Sequence, residues 1–276
     1  MKNSTSIKAG LAAIKIAGIQ KNSFIDYPGK IAAVLFMGGC NFICHYCHNS
    51  EILNMRSNKI DFNTVLDELR EQVGFLDGVV ISGGEPTLHP HLREIITAVR
   101  GLGFLVKLDT NGTSSAMLMD LVRDGLVDYV AMDIKAPLYR YRDIVGVDVD
   151  TAEIKKSIDF LIKNSAVCND SKSAPVPIGF QNSPVSSTFS SHKKSADTHE
   201  FGYMFRTTLY PSLNDDDIRE IGELVQGAKV FQLQQFVPND FSNKQSTVYL
   251  PYSVHDAKRF ELELSKYCDK VILRGF

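Results

Sequence analysis

The sequence has no long apolar run and no segment typical of export. Among its 276 residues, no stretch of eighteen consecutive apolar residues occurs, so a membrane-spanning helix is not expected. The first residues, MKNSTSIKAGLAAIKIAG, are interrupted by lysine and do not fit a secretory signal peptide. We therefore expect a cytoplasmic protein with no membrane partner.

Excess charge of one sign is also missing. Lys and Arg total 30 and Asp and Glu total 32, which gives a formal net charge of -2. No overall field draws such a chain to nucleic acid, and any partner must be recognised locally. The composition, 44% hydrophobic and 22% charged, is that of a globular protein. We expect one domain over residues 1–276 with its core at about 31–236.

Cysteines are few and unevenly placed. The count of five is odd, and three of them fall within residues 40–47, a pattern unlike the evenly spaced framework of a secreted disulfide protein. A reducing compartment fits this usage better. The two others, Cys168 and Cys268, have no cysteine near them in the sequence and are expected to be incidental thiols.

Strand and helix patterns alternate about six times along the chain. Short apolar, β-rich runs are separated by segments in which apolar residues recur at helical spacing, and the predicted strands cover residues 31–37, 78–82, 104–108, 129–132, 201–209 and 230–236. This alternation predicts a parallel sheet with helices outside. Polar clusters follow four of these strands (CNFICHYC, SGGEP, DTNG and DIK), and in a (β/α) barrel function gathers at those strand ends.

These patterns favour an α/β fold of the partial (β/α)6 TIM-like barrel type. A doubly wound dinucleotide-binding sheet is less favoured because no Gly-x-Gly-x-x-Gly follows a first strand. Residues 14–30 predict an N-terminal strand or hairpin extension, and residues 270–276 a last strand at a sheet edge. The serine-rich residues 165–200 predict a low-complexity, disordered insertion that joins a helix to the next strand, on the face away from the polar clusters.

The cysteine spacing leaves two kinds of centre open. C-x3-C-x2-C puts three thiols on one tight loop. A structural zinc site needs four ligands, and His48 or His45 could complete a Cys3His set. Alternatively, three cysteines could bind a four-iron four-sulphur cluster and leave one iron open to a ligand that is not protein.

The combination of this loop with a later glycine-rich turn resembles the radical S-adenosylmethionine (SAM) enzymes. C-x3-C-x-aromatic-C after the first barrel strand is followed by GGEP after the second. The resemblance implies that Cys40, Cys44 and Cys47 bind a [4Fe-4S] cluster and form the catalytic centre. It also implies that the aromatic residue, Tyr46, lies near the adenine of SAM. The GGE segment, Gly83, Gly84 and Glu85, is implied to receive the methionine amino group.

A narrower resemblance is carried by IQKNSFIDYPGKIAAVLFMGGCNFICHYCHN together with DTNG and MDIK. This combination is similar to the activases of glycyl radical enzymes, and among them to the anaerobic ribonucleoside-triphosphate reductase activating proteins. The resemblance implies that Asp109, Asp133 and Lys135 lie around SAM. It implies that Asp26, in the DYPG segment, helps to hold the glycine-bearing peptide of the partner.

The expected function is therefore reductive cleavage of SAM to methionine and a 5′-deoxyadenosyl radical, which takes a hydrogen atom from a backbone glycine of a partner enzyme. Flavodoxin or ferredoxin is the electron donor expected by family analogy. Glu85 can accept from the SAM ammonium, and Lys135 can pair with the carboxylate. Arg206 and Gln235 could touch SAM or substrate, or pair within the core. The alternatives are a radical SAM enzyme acting on a small molecule and a non-catalytic zinc-binding interaction module.

Overall fold

The strands form one large sheet and one small one. The computed structural model describes residues 14–164, 201–238 and 250–276. Its strands are β1 Lys15–Ile16, β2 Gly18–Ser23, β3 Ala32–Met37, β4 Ile60–Asp61, β5 Gly78–Gly83, β6 Leu105–Thr110, β7 Tyr129–Asp133, β8 Gly202–Leu209, β9 Ala228–Gln235 and β10 Cys268–Arg274. The large sheet has eight strands in the order β10-β9-β8-β7-β6-β5-β3-β2, and β1 pairs with β4 separately.

Helices follow most of the central strands. They are α1 Phe62–Glu71, α2 Leu92–Arg100, α3 Ser115–Arg123, α4 Tyr141–Val145, α5 Thr151–Asn164, α6 Asp215–Leu224 and α7 Val254–Leu264. Helix α6 begins at a capping box, in which the Asn214 side chain accepts from the Asp217 amide and the Asp217 side chain accepts from the Asn214 amide. Helices α1 to α6 lie between the predicted strands, where helical segments are expected, and α7 follows the last of those strands.

The central strands are buried on both faces, which explains their continuous apolar runs. Along β3, Ala33 and Leu35 pack into the main core with the helices. The alternating residues Ala32 and Val34 belong to a second, smaller cluster that includes Tyr27. Successive side chains of a strand point to opposite faces, so the second cluster lies on the inner face of the sheet.

Seven of the eight sheet strands are mutually parallel, and β2 is antiparallel to β3. The predicted α/β barrel type and the N-terminal strand extension are confirmed. The last strand expected at a sheet edge is β10, which pairs in parallel with β9 from Cys268↔Ala228 to Arg274↔Gln234 and adds a seventh parallel strand to the six expected for the barrel.

Two further predictions concern the serine-rich segment and membrane-spanning helices. The disordered insertion predicted over residues 165–200, together with Cys168, lies outside the described residues. None of the helices in the described ranges combines the length and the apolar character needed to cross a membrane.

Candidate active site

A cavity of about 520 Å³ opens where β3, β5, β6 and β7 end. All four polar clusters expected at strand ends contribute to its wall. The lining includes, among others, Cys40, Cys44, Tyr46, Cys47, Gly83, Gly84, Asp109, Asp133 and Lys135, and also Asp26, Arg206, Gln234 and Arg274. Of the candidate site residues named from the sequence, only Glu85, Gln235 and His45 are missing from the described cavity wall.

The cysteine loop after β3 is held by backbone hydrogen bonds on two sides. On one side, Ile43 N–H donates to Val145 O over 2.9 Å. On the other, Cys40 N–H donates to Leu53 O over 3.1 Å. Within the loop, Cys47 N–H donates to Cys44 O over 3.1 Å, which turns the last two cysteines towards the same cavity.

Cys44 is buried and Cys40 and Cys47 are half-buried, and none of the cysteines in the described ranges forms a disulfide. Burial raises the pKa of Cys40 to about 12 and that of Cys44 to about 11, and it also raises the pKa of Cys47. Burial therefore favours the neutral thiols near pH 7. In the described part of the chain, no three His, Cys, Asp or Glu side chains are grouped as a site for a metal ion.

The glycine-rich turn after β5 lies directly against the cysteine loop. Glu85 N–H donates to Gly39 O over 2.8 Å, and Gly84 N–H donates to Met37 O over 2.8 Å. A Cβ on Gly84 would lie 2.0 Å from Gly39 O, and Gly83 has a φ of +116°. Only glycine permits this approach, which lets the bare backbone of the turn form a wall of the cavity.

The Glu85 carboxylate is hydrogen-bonded within the fold. Its side chain is only 1% exposed and is not among the residues that line the cavity. One carboxylate oxygen accepts from Thr87 N–H, Thr87 Oγ1 and Thr110 Oγ1, and the other accepts from Asn111 N–H over 2.6 Å. Burial raises the pKa of Glu85, although these hydrogen bonds act to lower it. In this arrangement Glu85 braces the GGEP turn against the DTNG turn, and its predicted contact with a SAM ammonium stays a prediction.

Arg206 lies between the two carboxylates contributed by β6 and β7. Its Nε donates to Asp133 Oδ1 over 2.7 Å, and its Nη1 donates to Asp109 Oδ2 over 3.2 Å. Lys135 Nζ donates to the other oxygen of Asp133 over 3.0 Å, and Lys107 Nζ contacts Asp109. These three cations and two carboxylates leave one positive charge in excess.

The ion network shifts the pKa values of its members. Burial alone would raise the pKa of Asp133, but Arg206 and Lys135 outweigh it and hold this pKa at about 2. The pKa of Asp109 is lowered in the same way by Arg206 and Lys107. Both carboxylates are therefore ionised at neutral pH.

Tyr46 is buried beside the cysteines and stacks on Tyr210 with ring centroids 5.0 Å apart. The Nζ of Lys135 lies 5.8 Å from the Tyr46 ring centroid. Across the described residues, the Tyr46 hydroxyl finds no hydrogen-bond partner, although it is buried. A buried hydroxyl at a cavity wall is a ready contact for a bound molecule.

Lys107, Gln234 and Arg274 belong to the site or its ion network without having been expected from the sequence. Lys107 is 2% exposed and comes from the middle of the apolar run of β6. A lysine alternating with buried valine and leucine was the available signal, because that position shares the face of Asp109. Gln235, which was expected to line the barrel, instead donates to Tyr252 O over 2.8 Å and is absent from the described cavity wall.

Three comparisons with known proteins agree with this geometry. A family model described as the radical SAM superfamily matches residues 34–170. A putative glycyl-radical enzyme activating enzyme of Methanocaldococcus jannaschii is 30% identical over 265 residues, which cover 94% of this chain and 95% of that protein. The pyruvate formate-lyase-activating enzyme of Clostridium pasteurianum is 25% identical over 268 residues, with 94% and 96% coverage.

The fold also matches a solved structure. Streptococcus suis SuiB aligns with a TM-score of 0.55 at 12% identity, over 86% of this chain. The chain spans 47% of the length of that structure. A likeness at this level of identity shows the fold alone.

Proposed function

Because the chain belongs to the radical SAM superfamily and is an activating enzyme for a glycyl-radical enzyme, we propose that its partner is an anaerobic ribonucleoside-triphosphate reductase. The cofactors of this family are a [4Fe-4S] cluster and SAM. When bound, they supply a 5′-deoxyadenosyl radical by reductive cleavage of SAM. The observation that supports a cofactor site here is one cavity lined by the cysteine loop, the glycine-rich turn and the ion network.

The cysteine loop fits a cluster better than a single ion. Cys40, Cys44 and Cys47 come from one loop and line one wall. A four-iron cluster binds each thiolate through a different iron, so its ligands stand farther apart than those around one zinc ion. We propose these three thiols as the cluster ligands. Only Cys268 remains in the described ranges, and it is buried near the start of β10, away from the cavity.

The remaining wall fits SAM in volume and chemistry. About 520 Å³ is within the range of pockets that enclose a small-molecule cofactor. The backbone of Gly83 and Gly84 is what a methionine amino group would meet, since the Glu85 carboxylate is engaged elsewhere. Lys135 supplies a cation for the methionine carboxylate, and Tyr46 supplies an aromatic face and an unpartnered hydroxyl.

We assign Asp109 and Asp133 a positioning role. Each carboxylate accepts from Arg206 and from a lysine, so neither is free to act as a proton acceptor. Because these charged side chains hold one another in place, their electrostatic field at the ligand is preorganised. The side chains need little rearrangement during the reaction. Asp26, 30% exposed at the rim, is proposed to contact the partner peptide.

Support for the reductase as partner comes from the sequence combination of DYPG, CNFICHYC, DTNG and MDIK. A second candidate is pyruvate formate-lyase, favoured by the full-length similarity to its activating enzyme. We further propose flavodoxin or ferredoxin as the electron donor and a cytoplasmic location.

The cofactor site is tested by anaerobic purification and reconstitution, followed by iron and sulphide analysis and electron paramagnetic resonance of the reduced protein with and without SAM. We expect a four-iron signal that changes when SAM is added and is absent from Cys44→Ala. Cys268→Ala is the matched control and should retain full iron. Zinc without iron, or a cluster signal indifferent to SAM, would overturn the proposal.

The partner is tested by incubating the reduced enzyme and SAM with each candidate, the reductase and pyruvate formate-lyase, from the same organism. Electron paramagnetic resonance then counts the glycyl radical formed on each. A radical on the reductase alone supports the proposed partner. A radical on pyruvate formate-lyase alone replaces the partner while keeping the activase.

A further inference from the structure

Two side chains bridge the edges of the sheet at the cavity. In the described residues, β2 and β10 are the edge strands and do not pair with each other. Arg274, the last residue of β10, places Nη2 3.6 Å from Oδ1 of Asp26, in the loop between β2 and β3. Both residues line the cavity, so this ion pair stands where the sheet is open.

Each member of the pair is positioned by its own element. Ser23 Oγ donates to Asp26 Oδ2 over 2.6 Å, and Asp26 N–H donates to the same hydroxyl over 3.2 Å. Arg274 is in register with Gln234 of β9, and both line the cavity. In the described ranges, neither Asp26 nor Arg274 has a second ion-pair partner.

The pair is loose enough to be exchanged for other contacts. At 3.6 Å it is longer than a good hydrogen bond, and the two side chains are 30% and 34% exposed. Exposed pairs of this kind contribute little to stability, so opening one costs little. Opened, the pair offers a fork of N–H donors and a carboxylate acceptor on opposite sides of the gap.

The loop that carries Asp26 also presents apolar surface. Phe24 and Ile25 are both 69% exposed, immediately before Asp26 in the chain. Two large exposed hydrophobic side chains beside a cavity entrance are typical of a contact with another protein. An extended polypeptide fits this combination, because its backbone needs both a donor and an acceptor and its side chains need apolar contact.

We propose Arg274 as a positioning residue that donates to backbone carbonyls of the partner's glycine-bearing segment, from the side of the gap between β2 and β10 that lies opposite Asp26. This inference rests on the proposed function, since it requires a polypeptide substrate. Arg274 acts on the position of the glycine and takes no part in the chemistry.

The test compares Arg274→Met with Lys270→Met, which changes an exposed lysine on the same strand. Binding of whichever candidate partner accepts the radical is titrated by calorimetry on the anaerobic, cluster-loaded enzyme with SAM and without reductant; SAM affinity is titrated separately. We expect the dissociation constant for the partner to rise about tenfold in Arg274→Met, the scale of one charge-assisted hydrogen bond. The constant for SAM should change less than about twofold, and Lys270→Met should match the wild type.

Unchanged partner affinity in Arg274→Met overturns the inference, as does an equal loss of SAM affinity, which would place Arg274 in the cofactor site. If Arg274→Met does not fold, Arg274→Lys is measured instead. Lysine keeps the positive charge but lacks the planar guanidinium, so the dissociation constant for the partner should rise about threefold. A dissociation constant equal to that of the wild type overturns the inference. A wild-type enzyme that binds neither partner instead overturns the proposed function, and the inference with it.

Discussion

Arg206 Nε donates to Asp133 Oδ1 over 2.7 Å, between two neighbouring strands of the barrel. The residues are 73 positions apart in the chain and meet because Asp133 of β7 is in register with Arg206 of β8. The same guanidinium reaches Asp109 on β6. One side chain therefore ties together three strands at the wall of the cavity.

Removing the Asp133 charge is expected to destabilise the fold. Asp133→Asn leaves Arg206 and Lys135 without their shared carboxylate inside the barrel, which should lower the free energy of unfolding by about 3 kcal/mol. Urea unfolding of the anaerobic protein measures this loss. The control is Asp148→Asn, which breaks a pair with Arg142 whose side chains are 82% and 74% exposed. That change should cost less than about 0.5 kcal/mol, and equal costs would contradict the prediction.

The same comparison should depend on pH in a defined window. The pKa of Asp133 lies at about 2, below the ordinary 3.8, because Arg206 and Lys135 outweigh the effect of burial. A carboxyl with a lowered folded-state pKa stabilises the fold above its unfolded pKa, and this contribution is lost as pH falls through the folded-state value. The stability difference between wild type and Asp133→Asn should be constant from pH 7 to 5 and shrink by about 2 kcal/mol between pH 4 and 2. If urea unfolding shows the same stability difference between the two proteins at pH 7 and at pH 2, this prediction is contradicted.

Gly84→Ala tests the contact between the cysteine loop and the glycine-rich turn. The new methyl group would lie 2.0 Å from Gly39 O, so the two backbones must separate. We expect a loss of about 2–3 kcal/mol in unfolding free energy and weaker SAM binding. Gly18→Ala is the control, because its nearest neighbour would be Phe36 at 3.6 Å, an ordinary contact. Thermal unfolding measures the stability of both variants, and SAM titration measures their affinity. A Gly84→Ala protein as stable as the wild type would contradict the close contact between the two turns.

Local patterns predicted much of this molecule because its strands are continuous apolar runs and its cysteines, glycines and carboxylates follow those runs directly. The direction of Glu85 could not be predicted, since its partner Asn111 lies 26 residues away and is brought near only by the neighbouring strand. Arg274 was missed for a related reason. Nothing local to residues 270–276 says that this strand extends the sheet as far as the cavity.

Glu85→Gln tests whether the Glu85 carboxylate stabilises the fold or binds the cofactor. The amide would place an N–H₂ group against donors that now reach the carboxylate from Thr87, Thr110 or Asn111. We expect a loss of about 2 kcal/mol in unfolding free energy with no SAM present. Glu51→Gln, at an exposed position without an ion pair among the described residues, should be neutral. If Glu85→Gln changed only SAM affinity and left the SAM-free protein at wild-type stability, Glu85 would be a cofactor ligand after all.

Tyr46→Phe should move stability and ligand affinity in opposite directions. The Tyr46 hydroxyl is buried without a partner in the described part of the chain, so its removal relieves an unsatisfied group. We expect the SAM-free protein to be unchanged or more stable by up to about 1 kcal/mol. If the hydroxyl contacts SAM, the dissociation constant for SAM should rise about fivefold, the scale of one neutral hydrogen bond. Tyr267→Phe, on a half-exposed side chain outside the cavity wall, is the matched control and should change neither quantity. A Tyr46→Phe protein that is less stable without SAM would mean that the hydroxyl is bonded within the fold, and wild-type SAM affinity would remove it from the cofactor site.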